Sequence, residues 1–227
     1  MSGFQERLAS VRAGIAAAAA RSGRSPEAVT LVAVSKTISV EGIREALSAG
    51  VRILGENRVQ EAREKVALLP GLASWHLIGH LQSNKAKLAV QLFDCIHSLD
   101  SVRLAEDLDR HAEATGKIQR CLIEVNVGEE AQKSGAPEAE VRQILEAARR
   151  LPHLTIEGLM AVPPFLDDPE DVRPFFRRLR LLRDTLRQEG FSLEALSMGM
   201  THDFEVAVEE GATLVRIGTA LFGPRHG

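Results

Sequence analysis

The stretch that decides the fold is residues 30–57, TLVAVSKTISVEGIREALSAGVRILGEN. It opens on an apolar, β-rich run, Thr30–Ser35, too short for a helix and followed at once by Lys36. A helical pattern then runs over Val40–Ala49 and meets Gly50, where a helix C-terminal glycine is expected. A second short run, Arg52–Gly55, completes a strand–helix–strand unit. Such units imply parallel strands with the helix laid across one face.

The unit repeats along the chain. Further β-type runs are Trp75–Gly79, Phe93–His97, Arg120–Val127, Thr155–Ala161, Leu193–Ser197 and Thr213–Gly218, which makes eight. Between them lie helical patterns over Asn57–Leu68, Asn84–Leu92, Ser101–Thr115, Pro137–Arg150, Asp171–Glu189 and Thr201–Glu210, with Gly116, Gly190 and Gly211 again at C-terminal positions. Eight units in one chain favour an α/β fold of the (β/α)8 TIM-barrel type over an open doubly wound sheet. Ahead of the first strand, Phe4, Leu8, Val11 and Ile15 mark one face of an extra amino-terminal helix. Few residues follow the last strand, so the final helix is expected to be truncated, with the amino-terminal helix packed into the gap. No Pro/Gly/Ser-rich linker interrupts the series, and residues 1–227 read as a single barrel domain.

Composition agrees with a globular chain. Of 227 residues, 44% are hydrophobic and 26% charged, and the net charge of −3 lacks the basic field of a nucleic-acid binder. No apolar stretch approaches the roughly 20 residues of a membrane span. The first residues, MSGFQER, carry no signal-like core, so a cytoplasmic location is expected. Cys95 and Cys121 lack CxxC spacing and suggest buried free thiols. There is no tyrosine, which removes one common acid/base side chain.

Ligands of such barrels bind at the carboxyl ends of the strands. Those ends read Lys36, Glu56-Asn57, His80, His97-Ser98, Asn126, Met160, Ser197-Met198-Gly199-Met200-Thr201 and Gly218-Thr219. A lysine amine held against apolar surroundings is a nucleophile for aldehydes. A lone lysine at a strand end also snorkels to solvent, so Lys36 gains meaning only from the other strand ends. Thr201 reads as the N-cap of the next helix, Gly199 permits close backbone approach, and Gly218-Thr219 adds a second loop. Phosphate sites in these barrels form from the loops after strands seven and eight, although ordinary turns use the same residues. Arg216 sits within the eighth run, where it needs either an ion pair, with Glu124 or Glu157, or a ligand nitrogen to donate to. His76 and His80 have poor metal-ligand spacing and no carboxylate partner, and His76 reads as a core or rim histidine. The basic cluster 173–187 reads as the solvated face of an amphipathic helix whose apolar face is Val172, Phe175, Phe176, Leu179, Leu182 and Leu186.

Several motifs carry a family resemblance: LVAVSKT (31–37), GENRVQE (55–61), WHLIGHLQSNK (75–85), HSLDS (97–101), EVNVGEEAQKSG (124–135), GLMAVP (158–163) and LSMGMTHDFEVAVEEGATLVRIGTALFG (196–223). In order and spacing they resemble the pyridoxal 5′-phosphate (PLP) homeostasis proteins of the YggS/PROSC family, which share the alanine racemase type of PLP-binding barrel. The resemblance implies that Lys36 holds PLP as a Schiff base and that Asn57 lies beside the ring. It further implies that Ser197, Met200, Thr201, Gly218 and Thr219 cradle the phosphate and that Arg216 faces the pyridine nitrogen. Relatives commonly carry tyrosine where this chain has Arg58, on what reads as the outer face of the next helix; Glu129 and Lys133 match without an assignable role.

The function implied is to buffer and deliver PLP, affecting amino-acid and keto-acid metabolism, by transient contact with PLP-dependent apo-enzymes and as a monomer. Two enzymatic alternatives stand beside it. A racemase-like enzyme of this fold takes its second base from a tyrosine, which this chain lacks. A cofactor-free aldolase would use Lys36 on a sugar phosphate held by the same two loops.

Overall fold

The computed structural model describes residues 3–130 and 134–224. Its strands are β1 (Thr30–Val34), β2 (Ile53–Glu56), β3 (Ser74–Leu77), β4 (Cys95–Leu99), β5 (Gln119–Glu124), β6 (Leu154–Met160), β7 (Ala195–Ser197) and β8 (Leu214–Ile217). They pair in sequence order, all parallel, and β8 returns to β1 to close a TIM-type barrel of eight strands. Around it lie α1 (Gly3–Arg21), α2 (Val40–Ser48), α3 (Val59–Leu68), α4 (Ala86–Leu92), α5 (Val102–Glu113), α6 (Glu138–Ala148), α7 (Pro169–Gln188), α8 (Phe204–Glu209) and α9 (Thr219–Phe222). Among the described residues no helix is long and apolar enough to cross a membrane.

Side chains alternate between the two faces of each strand. Leu54, Trp75, Leu77, Ile96, Ile123, Leu159, Leu196, Val215 and Ile217 point outward into one continuous core shared with the helices. The alternate positions face the lumen, where Cys95, Leu122 and Met160 form a small cluster of their own. Register shifts in the β4–β5 and β5–β6 pairings carry the sheet around. The second shift sets Leu122 against Gly158 and leaves Glu157 to pair with Arg120 near the amino-terminal end, at 2.6 and 2.9 Å.

The amino-terminal helix packs beside the short last helix. α9 is a single turn, and α1 packs against α8 and α9. Phe4, Leu8, Val11 and Ile15 are buried along one face, each contributing about 1.5–3 kcal/mol by leaving water. The Phe4 ring meets Phe222 at 5.2 Å, and Arg7 Nε donates to the Leu221 carbonyl at 2.6 Å. Arg24 holds the Val208 and Ala212 carbonyls at 2.7 and 2.8 Å, so α1 is fastened near both of its ends.

Three expectations are corrected. The fourth strand runs to Leu99, so His97 and Ser98 are buried within it rather than standing at its end. The fifth ends at Glu124, because Asn126 N–H and Ala136 N–H turn to pair with the Ala136 and Glu124 carbonyls. The basic cluster on α7 is not simply solvated. Arg173, Arg177 and Arg180 converge on the buried carboxylate of Glu210 at 3.3, 2.8 and 3.1 Å, docking α7 against the end of α8. These three bonds outweigh burial and hold the Glu210 carboxyl below its ordinary value.

Candidate functional site

Lys36 follows β1 at the carboxyl-terminal mouth, half-buried, and its neighbours are clamped on both sides. Before it, Ser35 Oγ donates to Glu56 Oε1 at 2.6 Å, and Lys65 Nζ donates to the Ser35 carbonyl at 2.6 Å. After it, Thr37 N–H donates to Glu61 Oε1 at 2.5 Å. Lys65 joins the two halves, meeting Glu56 at 2.8 Å and Glu61 at 2.7 Å. Thr37 takes a φ of 66°, a left-handed conformation that a β-branched residue adopts only when its surroundings impose it. Burial pushes the Glu56 carboxyl up despite Lys65 and Ser35, whereas at Glu61 the bonds from Lys65 and Thr37 overcome burial and hold it down.

Asn57 follows β2 directly, and β1 and β2 pair through Val34 and Gly55, which sets Asn57 beside the Lys36 segment. Gly79, after β3, packs on the Asn57 backbone so closely that a Cβ there would lie 2.4 Å from its carbonyl oxygen. Arg58 is exposed at the N-cap of α3, with its side chain capping nothing.

The loops after β7 and β8 come together, but differently from the expectation. α8 begins at Phe204 with Asp203 at its N-cap, so Thr201 lies in the preceding turn and does not cap the helix. The Asp203 carboxylate turns back to accept from Met200 N–H at 2.6 Å, which shapes the turn in place of a helix cap. Burial raises the Asp203 carboxyl, partly offset by that bond. The Thr201 hydroxyl instead accepts from Ala220 N–H at 3.4 Å, tying the β7 loop to the start of α9. Gly199 has a φ of 92°, and a Cβ there would lie 2.5 Å from Ala207 Cβ. Among the described residues, the amides of Thr201, His202, Gly218 and Thr219 donate to no carbonyl or side chain. Four unpaired amides and two threonine hydroxyls on adjoining loops have the donor chemistry of an anion cradle. Gly218 lies against Val34, and Met200 is partly exposed. These eight predicted residues therefore all sit at the same end of the barrel or just inside it.

Arg216 is buried in the lumen, and neither Glu124 nor Glu157 pairs with it. Glu124 accepts from Ser134 at 2.7 Å, and Glu157 is taken by Arg120. Arg216 donates to the Ser197 carbonyl and hydroxyl, both at 2.7 Å, and to the Ala161 carbonyl at 2.9 Å. Burial lowers its pKa to about 10, with Glu124 and Asp203 opposing from a distance, so it stays charged at neutral pH. Three of its five N–H donors are used there, and among the described residues the other two meet no acceptor.

His76 is a core histidine, bonded through Nδ1 to His97 Nε2 at 2.9 Å. Cys95 lies beside them, its ligand atom and theirs within 4.8 Å of one another, so a Cys/His cluster exists in space although none was visible in sequence. The nitrogen–nitrogen distance is that of a hydrogen bond, and burial pushes the Cys95 thiol up to about 12. Glu129 has a φ of 52° and pairs with Arg178 at 2.5 Å, while Lys133 lies outside the described residues. Glu61, Lys65 and Asp203 escape sequence reasoning, and Glu56 is read only as a strand end; the Glu61/Lys65 spacing of four on one helix is the signal available for two of them.

Comparison with known proteins places this geometry. The family model described as "Alanine racemase, N-terminal domain" matches residues 7–226. A pyridoxal phosphate homeostasis protein of Aquifex aeolicus is 48% identical over 222 residues, covering 97% of each chain. The protein of that name from Escherichia coli K12 is 42% identical over 231 residues, covering 99% of this chain and 98% of that one. The structure of PipY from Synechococcus elongatus with PLP bound superposes with a TM-score of 0.85 at 41% identity, covering 97% of this chain and 100% of that one. The chain belongs to the pyridoxal phosphate homeostasis protein family, within the larger family of the alanine racemase N-terminal domain.

Proposed function

We propose that this protein binds PLP at the carboxyl-terminal mouth of its barrel and serves to store, buffer and deliver it. The observation that carries the reading is the pair of joined loops after β7 and β8. They present unpaired amides of Thr201, His202, Gly218 and Thr219, with the Lys36 segment on the neighbouring strand. A phosphate needs donors without a buried counter-charge, and an aldehyde needs an amine; the mouth offers both. In this reading Lys36 holds the cofactor as a Schiff base, and Asn57 lies beside the ring. Ser197, Met200, Thr201, Gly218 and Thr219 surround the phosphate, and Arg216 gives a remaining N–H to the pyridine nitrogen. PLP relatives and the PLP-bound PipY support it.

When bound, PLP supplies an electron sink for amino-acid chemistry. An arginine facing the pyridine nitrogen keeps that nitrogen unprotonated and weakens the sink. With no tyrosine in the chain to act as a second base, we infer a carrier rather than a racemase, acting as one domain and as a monomer that meets apo-enzymes transiently.

The test is the absorption spectrum of the purified protein. A visible band that disappears in Lys36→Ala is expected, as is transfer of PLP from the loaded protein to an apo-enzyme. A colourless protein that PLP cannot reconstitute would overturn the reading in favour of a cofactor-free lysine enzyme.

A further inference from the structure

The lumen of an eight-stranded barrel is ordinarily filled by layers of branched apolar side chains. Here a row of hydrogen bonds crosses it from β8 to β3. Arg216 Nη1 meets Ser197 Oγ at 2.7 Å, Ser197 Oγ meets His97 Nδ1 at 3.0 Å, and His97 Nε2 meets His76 Nδ1 at 2.9 Å. All four residues are buried, and the Ser197–His97 link joins strands a hundred residues apart.

Counting donors and acceptors gives the row one direction. A guanidinium only donates, so Ser197 Oγ accepts from Arg216. The serine hydrogen then needs an acceptor, and among the described residues His97 Nδ1 is the one it touches. His97 is therefore protonated at Nε2 and donates to His76 Nδ1, which places the His76 proton on its own Nε2. Both rings are neutral: burial pulls His97 well below the ordinary histidine value and His76 to about 4. His76, whose Nε2 meets no described acceptor, lines a cavity of about 420 Å³ at the amino-terminal end of the barrel, together with Cys95, Arg120 and Glu157.

Such a row costs stability relative to an apolar lumen, because each buried polar atom must be satisfied. What it secures is the Ser197 hydroxyl. With its hydrogen committed to His97, the hydroxyl presents only a lone pair to Arg216. Among the described residues each acceptor the guanidinium meets is a neutral oxygen, with Glu124 and Asp203 acting only from a distance, so two of its N–H groups are left unused.

We propose that His97 and His76 are positioning residues, which act through Ser197 to fix Arg216 for the cofactor's ring nitrogen. This rests on the reading above that Arg216 faces that nitrogen.

The test compares PLP release and the visible band of the loaded protein in wild type, His97→Leu, His97→Asn and Arg216→Leu. His97→Leu fills the lumen but cannot accept from Ser197, and should speed PLP release about ten-fold and shift the band, the effect of one lost buried hydrogen bond. His97→Asn puts an acceptor oxygen near the Nδ1 position and should restore release to within about three-fold of wild type. A merely structural histidine would alter thermal stability while leaving the band and release of His97→Leu unchanged, and that result overturns the proposal. If Arg216→Leu also leaves both unchanged, it is the placement of Arg216 at the cofactor that fails. Nitrogen-15 NMR of wild-type protein needs no variant to fold. It should show both rings protonated at Nε2, and an Nδ1–H on either ring would overturn the direction of the row.

Discussion

The two polar assemblies of this barrel solve opposite problems. At the rim, the clamp around Lys36 is made of full charges: Lys65 sits between Glu56 and Glu61, and the backbone on either side of Lys36 is gripped by Lys65 at the Ser35 carbonyl and by Glu61 at the Thr37 N–H. In the lumen, the row from Arg216 through Ser197 to His97 and His76 has one charge and otherwise neutral partners. Pairing lets the clamp hold its shape, the one ammonium of Lys65 offsetting part of the charge of two carboxylates. Withholding a counter-charge leaves the Arg216 field available to a ligand. Burial alone does not separate them, since Lys65 and Arg216 are both buried; the chemistry of the acceptors does.

The most severe way to break the comparison is Lys65→Met. It leaves Glu56 and Glu61 facing each other across a largely buried site, and should cost about 3 kcal/mol in urea unfolding. Adding Glu56→Gln should recover part of that loss, because the uncompensated charge is removed. No recovery would mean that the clamp is held by packing.

Next comes pH. His76 has a folded pKa of about 4 against an ordinary 6.5, so the unfolded chain takes up a proton that the folded one refuses. Stability should therefore fall as pH drops below 6.5, by about 2 kcal/mol from this residue between pH 7 and pH 5, with His97 adding in the same direction. Glu56, Glu124 and Asp203 have raised values and act with the opposite sign, stabilising towards low pH. The difference between wild type and His76→Leu isolates the histidine, and equal pH slopes would contradict a neutral row.

Smaller effects belong to the mouth. Thr201→Ala and Thr219→Ala should speed PLP release several-fold, about 1 kcal/mol each, while changing unfolding less. Thr201→Ala also loses the bond to Ala220 N–H and should have the greater effect on stability of the two. Smallest of all, Arg58→Tyr should leave PLP release unchanged, since Arg58 is exposed at the start of α3 and caps nothing. A marked change there would extend the site to the exposed start of α3, where Arg58 acts on the clamp only through its charge on Glu61.

Much of this was legible in advance because it depends on local pattern. Eight apolar runs separated by helical periodicity implied the barrel, and the strand-end positions put Lys36, Asn57, Thr201, Gly218 and Thr219 at one mouth. Local pattern misleads where a residue's partner is distant. Thr201 looked like a helix cap because capping is judged from nearest neighbours, whereas its actual partner is Ala220, nineteen positions on. His97 reads as a strand end although β4 runs on past a shift in register with β5, and a register shift leaves no mark in apolar alternation. Arg216 was offered Glu124 and Glu157 as partners, yet each had already been satisfied, by Ser134 and Arg120.

By itself, the sequence determined the strand and helix order, the closed parallel sheet and the end at which the polar strand-end residues gather. These follow from periodicity and from the handed, short-range rules of strand–helix units. Only the tertiary structure decided which buried charges are paired and which stand alone. It joined Lys65 to Glu56 and aligned Ser197, His97 and His76 behind Arg216. The physical reason is that barrel closure brings side chains from distant strands into one small lumen. Which of them meet is set by register, to which the period of a single strand is blind.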